Sequence, residues 1–99
     1  MKKRKIRWDK PALIYFSEAI RYIRKDSAQN AEKVKQEILA RISELSVRPE
    51  NHAPDKYKQN NAGNYRAFEL HRYRVAYLVK DEEIIIARVR HTSQEPQSY

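Results

Sequence analysis

Three segments between residues 65 and 91 constrain the fold more than any other feature of the chain. Each is rich in β-branched and aromatic residues, and only short polar connections at residues 71–73 and 81–82 separate them. We therefore predict strands at residues 65–70, 74–80 and 83–91. Because connections of two or three residues join antiparallel neighbours, these three strands should form a small antiparallel sheet.

Side-chain alternation divides the residues of these strands between the two faces of the sheet. In the middle strand, Val75 and Tyr77 point to one face and Arg74 points to the other. Strict alternation in the last strand separates Ile84, Ile86, Arg88 and Arg90 from Ile85, Ala87, Val89 and His91. Arg74, Arg88 and Arg90 can then share a face, unless a β-bulge shifts the alternation.

The first half of the chain predicts a short strand at residues 6–8 and two amphipathic helices. Asp9 is a candidate N-cap for the first helix, and Pro11 is tolerated in its first turn. Apolar residues recur at steps of three and four and predict its buried stripe, formed by Leu13, Phe16, Ile20 and Ile23.

Ser27 is a candidate N-cap for the second helix, which should end before Pro49. Its predicted core stripe consists of Ala31, Val34, Ile38, Leu39, Ile42 and Leu45. The order β-α-α-β-β-β predicts an α+β fold in which a helical hairpin packs on one face of a small twisted antiparallel sheet. We expect one domain over residues 1–99, with the other face of the sheet open.

Two further segments stand out from this pattern. Residues 49–64 contain two prolines, four asparagines and the single glycine, which predicts a long loop. Loops of this length in small domains are often functional, and Lys56, Tyr57 and Lys58 give this one charge and a stacking surface. Residues 1–5 form a basic N-terminal end.

The composition restricts the partners of the chain. Lys and Arg number 21 against 13 Asp and Glu, a formal net charge of +8, which favours nucleic acid or an acidic protein as partner. Without cysteine, and with three scattered histidines, the sequence predicts no metal site. A single glycine excludes glycine-rich phosphate loops, so we expect no cofactor. No apolar run approaches the ~20 residues of a membrane span, and no signal peptide is evident, so we expect a cytoplasmic protein.

Three motifs resemble those of a known superfamily. They are Tyr65-Arg66-Ala67-Phe68-Glu69-Leu70, Tyr73-Arg74-Val75-Ala76-Tyr77 and Ala87-Arg88-Val89-Arg90-His91-Thr92-Ser93. Together with the order of elements, they are similar to the RelE/ParE superfamily of type II toxins. The resemblance implies a helical hairpin on a twisted sheet, and a cognate antitoxin that wraps and blocks the toxin. RelE-like members cleave mRNA on the ribosome, whereas ParE-like members poison DNA gyrase.

The resemblance to RelE-like nucleases implies specific catalytic residues. Arg74 corresponds to the arginine of their Tyr-Arg motif and Arg66 to a basic residue of the preceding strand, although Phe68 stands where a second lysine is expected. Metal-independent RNA cleavage needs a proton acceptor, a proton donor and positive charge at the phosphorane. We assign charge stabilisation to Arg66, Arg74 or Arg90, and acid or base chemistry to His91, with His71 and Glu69 as alternatives.

Further residues are candidates for contacts with nucleic acid through phosphate attraction or base stacking. These nucleic-acid-binding candidates are Lys56, Lys58, Tyr65, Arg72, Tyr73, Arg88 and Tyr99. For Arg74 the competing interpretation is a surface salt bridge to Glu69 or Glu83.

Three functions therefore remain open. The first is a ribosome-dependent mRNA endoribonuclease, whose partners are the ribosome and mRNA. The second is a non-enzymatic gyrase poison, favoured by the run Arg88-Val89-Arg90-His91 and by Phe68 in place of lysine; its basic surface and helical hairpin would bind DNA gyrase. The third is an inactive toxin-like RNA-binding module. Both toxin alternatives imply a cognate antitoxin.

Overall fold

The computed structural model describes residues 3–94 and 97–99. Its elements follow the predicted order and confirm the α+β class. They are β1 (Lys5–Trp8), α1 (Lys10–Asp26), α2 (Ala28–Leu45), a 3₁₀ turn (Pro49–Asn51), β2 (Tyr65–Leu70), β3 (Tyr73–Val79), β4 (Glu83–His91) and a second 3₁₀ turn (Thr92–Gln94).

The sheet is mixed, which differs from the expectation of a wholly antiparallel one. Its strand order is β1-β4-β3-β2, with antiparallel β2–β3 and β3–β4 pairs. β1 pairs in parallel with β4, so that Ile6 lies opposite Ile84. The short connections that fix strand direction exist only among the last three strands. β1 is followed by the whole helical hairpin, which permits a parallel return.

A β-bulge in β4 makes the prediction of strict alternation there wrong. Ala76 lies opposite Arg88, but the next residue, Tyr77, lies opposite Ile86, so Ala87 is the extra residue. Ile84 and Ile86 consequently share the helix-covered face with Val89. The bulge leaves Arg88 on the other face, and the register also confirms that Arg74 and Arg90 belong to that face.

The helical hairpin packs on one face of the sheet and forms the core. On this side the sheet contributes Phe68, Tyr73, Val75, Tyr77, Ile84, Ile86 and Val89. The prediction that Leu13 belongs to the core is wrong, because its side chain is 46% exposed whereas Ala12 is 1% exposed. Small residues at Ala12 and Ala19 form part of the buried face of α1 and rotate Leu13 toward solvent.

Of the two predicted N-cap residues, one makes the expected capping hydrogen bond and the other does not. Ser27 caps α2 as predicted, since its hydroxyl accepts a 3.0 Å hydrogen bond from the Asn30 N–H. Asp9 occupies the N-cap position of α1 but makes no capping hydrogen bond. Its carboxylate instead lies 3.8 Å from the guanidinium of Arg7.

The second face of the sheet is covered, which contradicts the expectation of an open face. The long loop first pairs beside the edge strand β2, with a β-bridge between Pro54 and Arg66, and then covers the face at Tyr57, whose ring lies over Arg74. Residues 97–99 lie beside the loop: the Tyr99 N–H donates to the Tyr57 carbonyl (3.0 Å), and the Tyr99 carbonyl accepts from the Gln59 N–H (2.7 Å). Burial of Ala76 to 2% exposure shows how closely these segments pack.

The basic N-terminal end belongs partly to the fold. Lys2 lies outside the described residues, but the Arg4 N–H donates to the Ser46 carbonyl (2.9 Å) and the Arg4 Nε donates to the Lys80 carbonyl (2.8 Å). Within residues 3–94 and 97–99, no helix is long and apolar enough to cross a lipid bilayer.

Candidate functional site

Arg74 is the centre of a polar network on the loop-covered face. Its Nη2 donates to Asp55 Oδ1 and its Nη1 to Glu69 Oε2, each at 2.8 Å. The guanidinium carbon lies 4.7 Å from the centre of the Tyr57 ring. Arg74 Nε is buried and has no acceptor among the described residues. The salt bridge to Glu69 is the structural role that the sequence offered as an alternative to catalysis.

Asp55 anchors this network from the long loop. The residue is 3% exposed, and its carboxylate also accepts hydrogen bonds from the Tyr99 hydroxyl and the Tyr57 N–H. Burial raises the pKa of the Asp55 carboxyl, but the hydrogen bonds and the charge of Arg74 outweigh burial and hold the pKa below its ordinary value. Burial lowers the pKa of Arg74, but Asp55 and Glu69 more than compensate and raise it.

This pairing restricts what Arg74 can bind. Two carboxylates already occupy its terminal nitrogens, in a site where the Arg74 side chain is only 13% exposed. A substrate phosphate would have to displace Asp55, which would leave a buried carboxylate without its ion partner. Arg74 therefore acts as a structural cation in this conformation.

Arg66 lies on the opposite face of the sheet from Arg74. In the β2–β3 register, Arg66 is opposite Tyr77, whereas Arg74 is opposite Glu69. Because Tyr77 faces the helices, Arg66 also faces that side, where its Nη1 donates to the His52 carbonyl at 2.6 Å. The structure therefore does not bring the two strongest phosphate-binding candidates together.

The side chain of Arg90 also leads away from Arg74. Although the two residues are paired in the register, the Arg90 guanidinium carbon lies 5.1 Å from the centre of the Tyr15 ring in α1. Its Nη1 donates to the Val89 carbonyl at 2.7 Å. The three arginines proposed to stabilise a phosphorane thus occupy three separate environments.

His91 is bound by its own chain through Nδ1. This nitrogen accepts a hydrogen bond from the Ser93 N–H at 3.1 Å and lies 2.8 Å from the Ser93 hydroxyl. The ring stands edge-on to Tyr73 with 5.0 Å between centres, on the helix-covered side of the sheet.

Five of the seven nucleic-acid-binding candidates gather on the loop-covered face. Lys58 lies over the rings of Tyr65 (4.9 Å) and Tyr99 (5.6 Å), and Arg88 lies 4.4 Å over Tyr99. Lys56 lies 5.3 Å over the ring of a neighbouring tyrosine in the loop. We call these five residues (Lys56, Lys58, Tyr65, Arg88 and Tyr99) the basic aromatic cluster. Their role in binding nucleic acid stays a prediction.

The remaining two candidates lie elsewhere. Tyr73 is 8% exposed within the core, and burial raises the pKa of its hydroxyl. Arg72 is exposed in the β2–β3 turn, where it adopts a left-handed backbone conformation with φ of 67°. Neither residue adjoins the basic aromatic cluster.

The sequence analysis missed the two residues that organise the loop-covered face. Asp55 is the buried acceptor just described, and Gln97 accepts hydrogen bonds from Arg88. The loop has only one other carboxylate, Glu50, and the position of Asp55 between Pro54 and Lys56 is a signal that could have identified it. Nothing in the local sequence distinguishes Gln97.

Two more surfaces are notable. A groove of about 220 Å³ between the two helices is lined by Arg21, Arg24 and Lys35 over an apolar floor of Phe16 and Ile20. Within the described part of the chain no carboxylate lines this groove, and we call the surface formed by these three cations the hairpin basic groove.

On the other side of α1, two adjoining grooves of about 390 and 340 Å³ share three aromatic residues, Tyr22, Tyr73 and His91. Tyr22 is 70% exposed, and Ile14 on the same helix is 48% exposed. Exposed apolar and aromatic side chains of this kind are common where a protein meets a partner.

The chain is similar to known toxins. Residues 6–96 match the model of a family described as the ParE toxin of the type II toxin-antitoxin system parDE. The chain belongs to the ParE toxin family. As a ParE-family toxin of a type II system, it has a cognate antitoxin as partner, and its resemblance to the RelE/ParE superfamily is confirmed.

A solved structure supports the same fold. The chain superimposes on a chain of the chromosomal ParDE toxin-antitoxin system from P. aeruginosa with a TM-score of 0.69 and 18% sequence identity. The match covers 92% of this chain and 98% of the other. A comparison with curated protein sequences gives no match. The described residues of this ParE-family toxin contain no cluster of histidine, cysteine, aspartate and glutamate suited to hold a metal ion.

Proposed function

We propose that this ParE-family toxin poisons DNA gyrase by binding it and does not cleave mRNA. The observation that carries the proposal is the separation of the predicted catalytic arginines. Arg74 is bound by Asp55 and Glu69, while Arg66 lies on the opposite face of the sheet. A nuclease mechanism would require these arginines to converge on one phosphate.

The chemistry of RNA cleavage supports this choice. A metal-independent nuclease must remove a proton from the 2′-hydroxyl and stabilise charge on the same phosphorane. The Nδ1 of His91 is bound by Ser93, and the side chain of Arg90 lies against Tyr15 in α1. Among the described residues, the predicted base and the predicted cations therefore do not surround a common point.

Two features support a protein target. The family match is to ParE toxins, and the similarity of this chain to them implies DNA gyrase as its target. The hairpin basic groove also combines cations with an apolar floor, which suits an acidic, partly apolar protein surface better than an isolated phosphate. This agrees with the hypothesis that the helical hairpin of a gyrase poison contacts the enzyme.

The decisive experiment compares the two targets with one protein preparation. Purified toxin is added to a gyrase supercoiling reaction, and denatured products are examined for linear plasmid. A parallel translating extract is examined by primer extension for mRNA cuts. We expect loss of supercoiling with accumulated broken DNA, and intact transcripts. Ribosome-dependent cuts in the absence of any gyrase effect would overturn the proposal.

Charge reversal tests the hairpin basic groove. The double variant Arg21→Glu/Arg24→Glu should require about tenfold more toxin for half-inhibition of gyrase, since it makes the groove acidic. The control Lys10→Glu/Lys80→Glu makes the same change in net charge at exposed positions outside the groove. Equal potency of the two double variants would exclude the groove as the gyrase contact.

A further inference from the structure

Gln97 presents two neutral oxygens to the guanidinium fork of Arg88. The Arg88 Nη1 donates to the Gln97 carbonyl oxygen at 3.2 Å, and the Arg88 Nη2 donates to Gln97 Oε1 at 3.0 Å. Two acceptors side by side on one guanidinium are the arrangement that a phosphate or carboxylate makes with arginine. A single residue of this chain therefore occupies the position of a bidentate anion.

Arg88 differs from Arg74 in how its charge is balanced. Arg74 has two carboxylate partners, whereas Arg88 has none among the described residues. Its Nε is also buried without an acceptor. The remaining contact of its guanidinium is with the face of Tyr99, at 4.4 Å. Arg88 is thus a fixed cation on the sheet whose present acceptors are neutral.

An anion interacts with an arginine fork in a way that Gln97 cannot. A phosphate or carboxylate forms two parallel hydrogen bonds with the fork and also compensates its charge, whereas the oxygens of Gln97 are neutral. We propose that Arg88 binds a phosphodiester group of a single-stranded nucleic acid, and that Gln97 occupies this site as a neutral substitute until the phosphate displaces it. This site is separate from the groove proposed to contact gyrase.

The surroundings of Arg88 determine the class of ligand. In the basic aromatic cluster, Lys58 lies over the rings of Tyr65 and Tyr99, and Arg88 also lies over the Tyr99 ring. Cations that follow a phosphate backbone, with aromatic rings that stack on bases, are the usual elements of single-strand binding sites. A duplex would leave these rings without exposed base faces.

The inner side of Arg88 has no room for a phosphate. The cavity between Arg74 and Arg88, which Tyr57 and Tyr99 also line, has a volume of only about 10 Å³, room for one water molecule at most. A phosphate that binds the terminal nitrogens of Arg88 therefore takes the place that Gln97 occupies there. The segment of residues 97–99 stays attached meanwhile, because the Tyr99 hydroxyl donates to buried Asp55 and its backbone pairs with the long loop.

Fluorescence anisotropy with the purified toxin tests the site. The probes are labelled 12-nucleotide DNA and RNA strands of matching sequence, together with the DNA duplex. Arg88→Ala should weaken single-strand binding about tenfold. Arg88→Lys should have an affinity between those of Arg88→Ala and the parent chain, because lysine keeps the charge but lacks the guanidinium fork. The control Arg48→Ala removes an exposed arginine of equal charge and should change affinity less than about twofold. Equal losses for Arg88→Ala and Arg48→Ala, or tighter binding to the duplex, would overturn the proposal.

Substitutions of Gln97 test the displacement directly. Gln97→Glu places a carboxylate in the Arg88 fork and should reduce affinity well below that of Ser98→Glu, which adds the same charge at the next exposed position. Gln97→Ala should increase affinity about threefold, because it removes one competing acceptor. Identical binding by the two glutamate variants would refute the substitute role. Thermal unfolding of every variant identifies losses due to misfolding, and the assay contains no gyrase, so its outcome is independent of the proposed toxin target.

Discussion

The two faces of the sheet are stabilised by different interactions. The helix-covered face is apolar and closed, with Val75, Tyr77 and Ile86 fully buried. The loop-covered face is held by directional hydrogen bonds and ion pairs around Asp55 and Arg74. Apolar burial contributes stability without offering groups that a ligand can use. A polar network can exchange its partners, so we expect the binding of nucleic acid to depend on the loop-covered face and folding to depend mainly on the other.

The largest effect should follow a cavity in the helix-covered face. Ile86→Ala removes three carbons from a side chain with 0% exposure, and should lower the free energy of unfolding by about 3–4 kcal/mol. Urea denaturation followed by circular dichroism measures this change. A loss smaller than that of any variant on the loop-covered face would reverse the comparison between the two faces.

Removal of Asp55 should have the next largest effect. Asp55→Ala leaves Arg74 with one exposed carboxylate partner and should cost about 3 kcal/mol of unfolding free energy. Glu69→Ala is the matched control on the same arginine. Because the Glu69 side chain is 50% exposed, its loss should cost less than about 1 kcal/mol. Similar costs for both would show that burial does not distinguish the two ion pairs.

The dependence of stability on pH should separate the two faces further. The folded pKa of Asp55 lies below its ordinary value of 3.8, so the carboxylate stabilises the fold above that pH and loses its contribution as pH falls through the folded pKa. The stability difference between the parent chain and Asp55→Asn should be constant at about pH 5–7 and shrink below pH 3.8. The difference in unfolding free energy between the parent chain and Ile86→Ala should show no such decrease at low pH.

A smaller effect than that of Asp55→Ala should come from the hydroxyl of Tyr99. Tyr99→Phe keeps the ring over Arg88 but deprives Asp55 of one donor, which should cost about 1 kcal/mol. Tyr57→Phe serves as the control, since the contact of that residue with Arg74 is through its ring. A shift in the unfolding midpoint for Tyr99→Phe that Tyr57→Phe also produces would argue against the hydroxyl as a specific anchor.

Local patterns predicted much of the helix-covered face. The spacing of Phe16 and Ile20 indicated the buried side of α1, and that of Val34 and Ile38 indicated the buried side of α2. The prediction failed at Leu13, because the stripe was drawn from large apolar residues and overlooked Ala12. Small residues carry little weight in a hydrophobic pattern, although they allow the closest packing.

The candidate site was less predictable from the sequence. Motif and alternation placed Arg74 and Arg88 on one face, which the register confirms. They gave no indication that Arg66 faces the opposite side, although Arg66 and Arg74 lie an even number of residues apart in sequence. The turn between β2 and β3 reverses the chain, so the pairing of the strands, and not the sequence separation, determines which residues share a face.

The sequence by itself determined the order of elements and the two amphipathic helices, because these depend on local periodicity and short connections, and its motifs indicated the RelE/ParE superfamily. The tertiary structure alone decided the parallel pairing of β1, the bulge at Ala87 and the closure of the loop-covered face. It also paired Asp55 with Arg74 and Gln97 with Arg88. These contacts join residues that are distant in the chain, and their energies depend on burial and on the number of hydrogen bonds available. Both quantities exist only once the loop and residues 97–99 have folded onto the sheet.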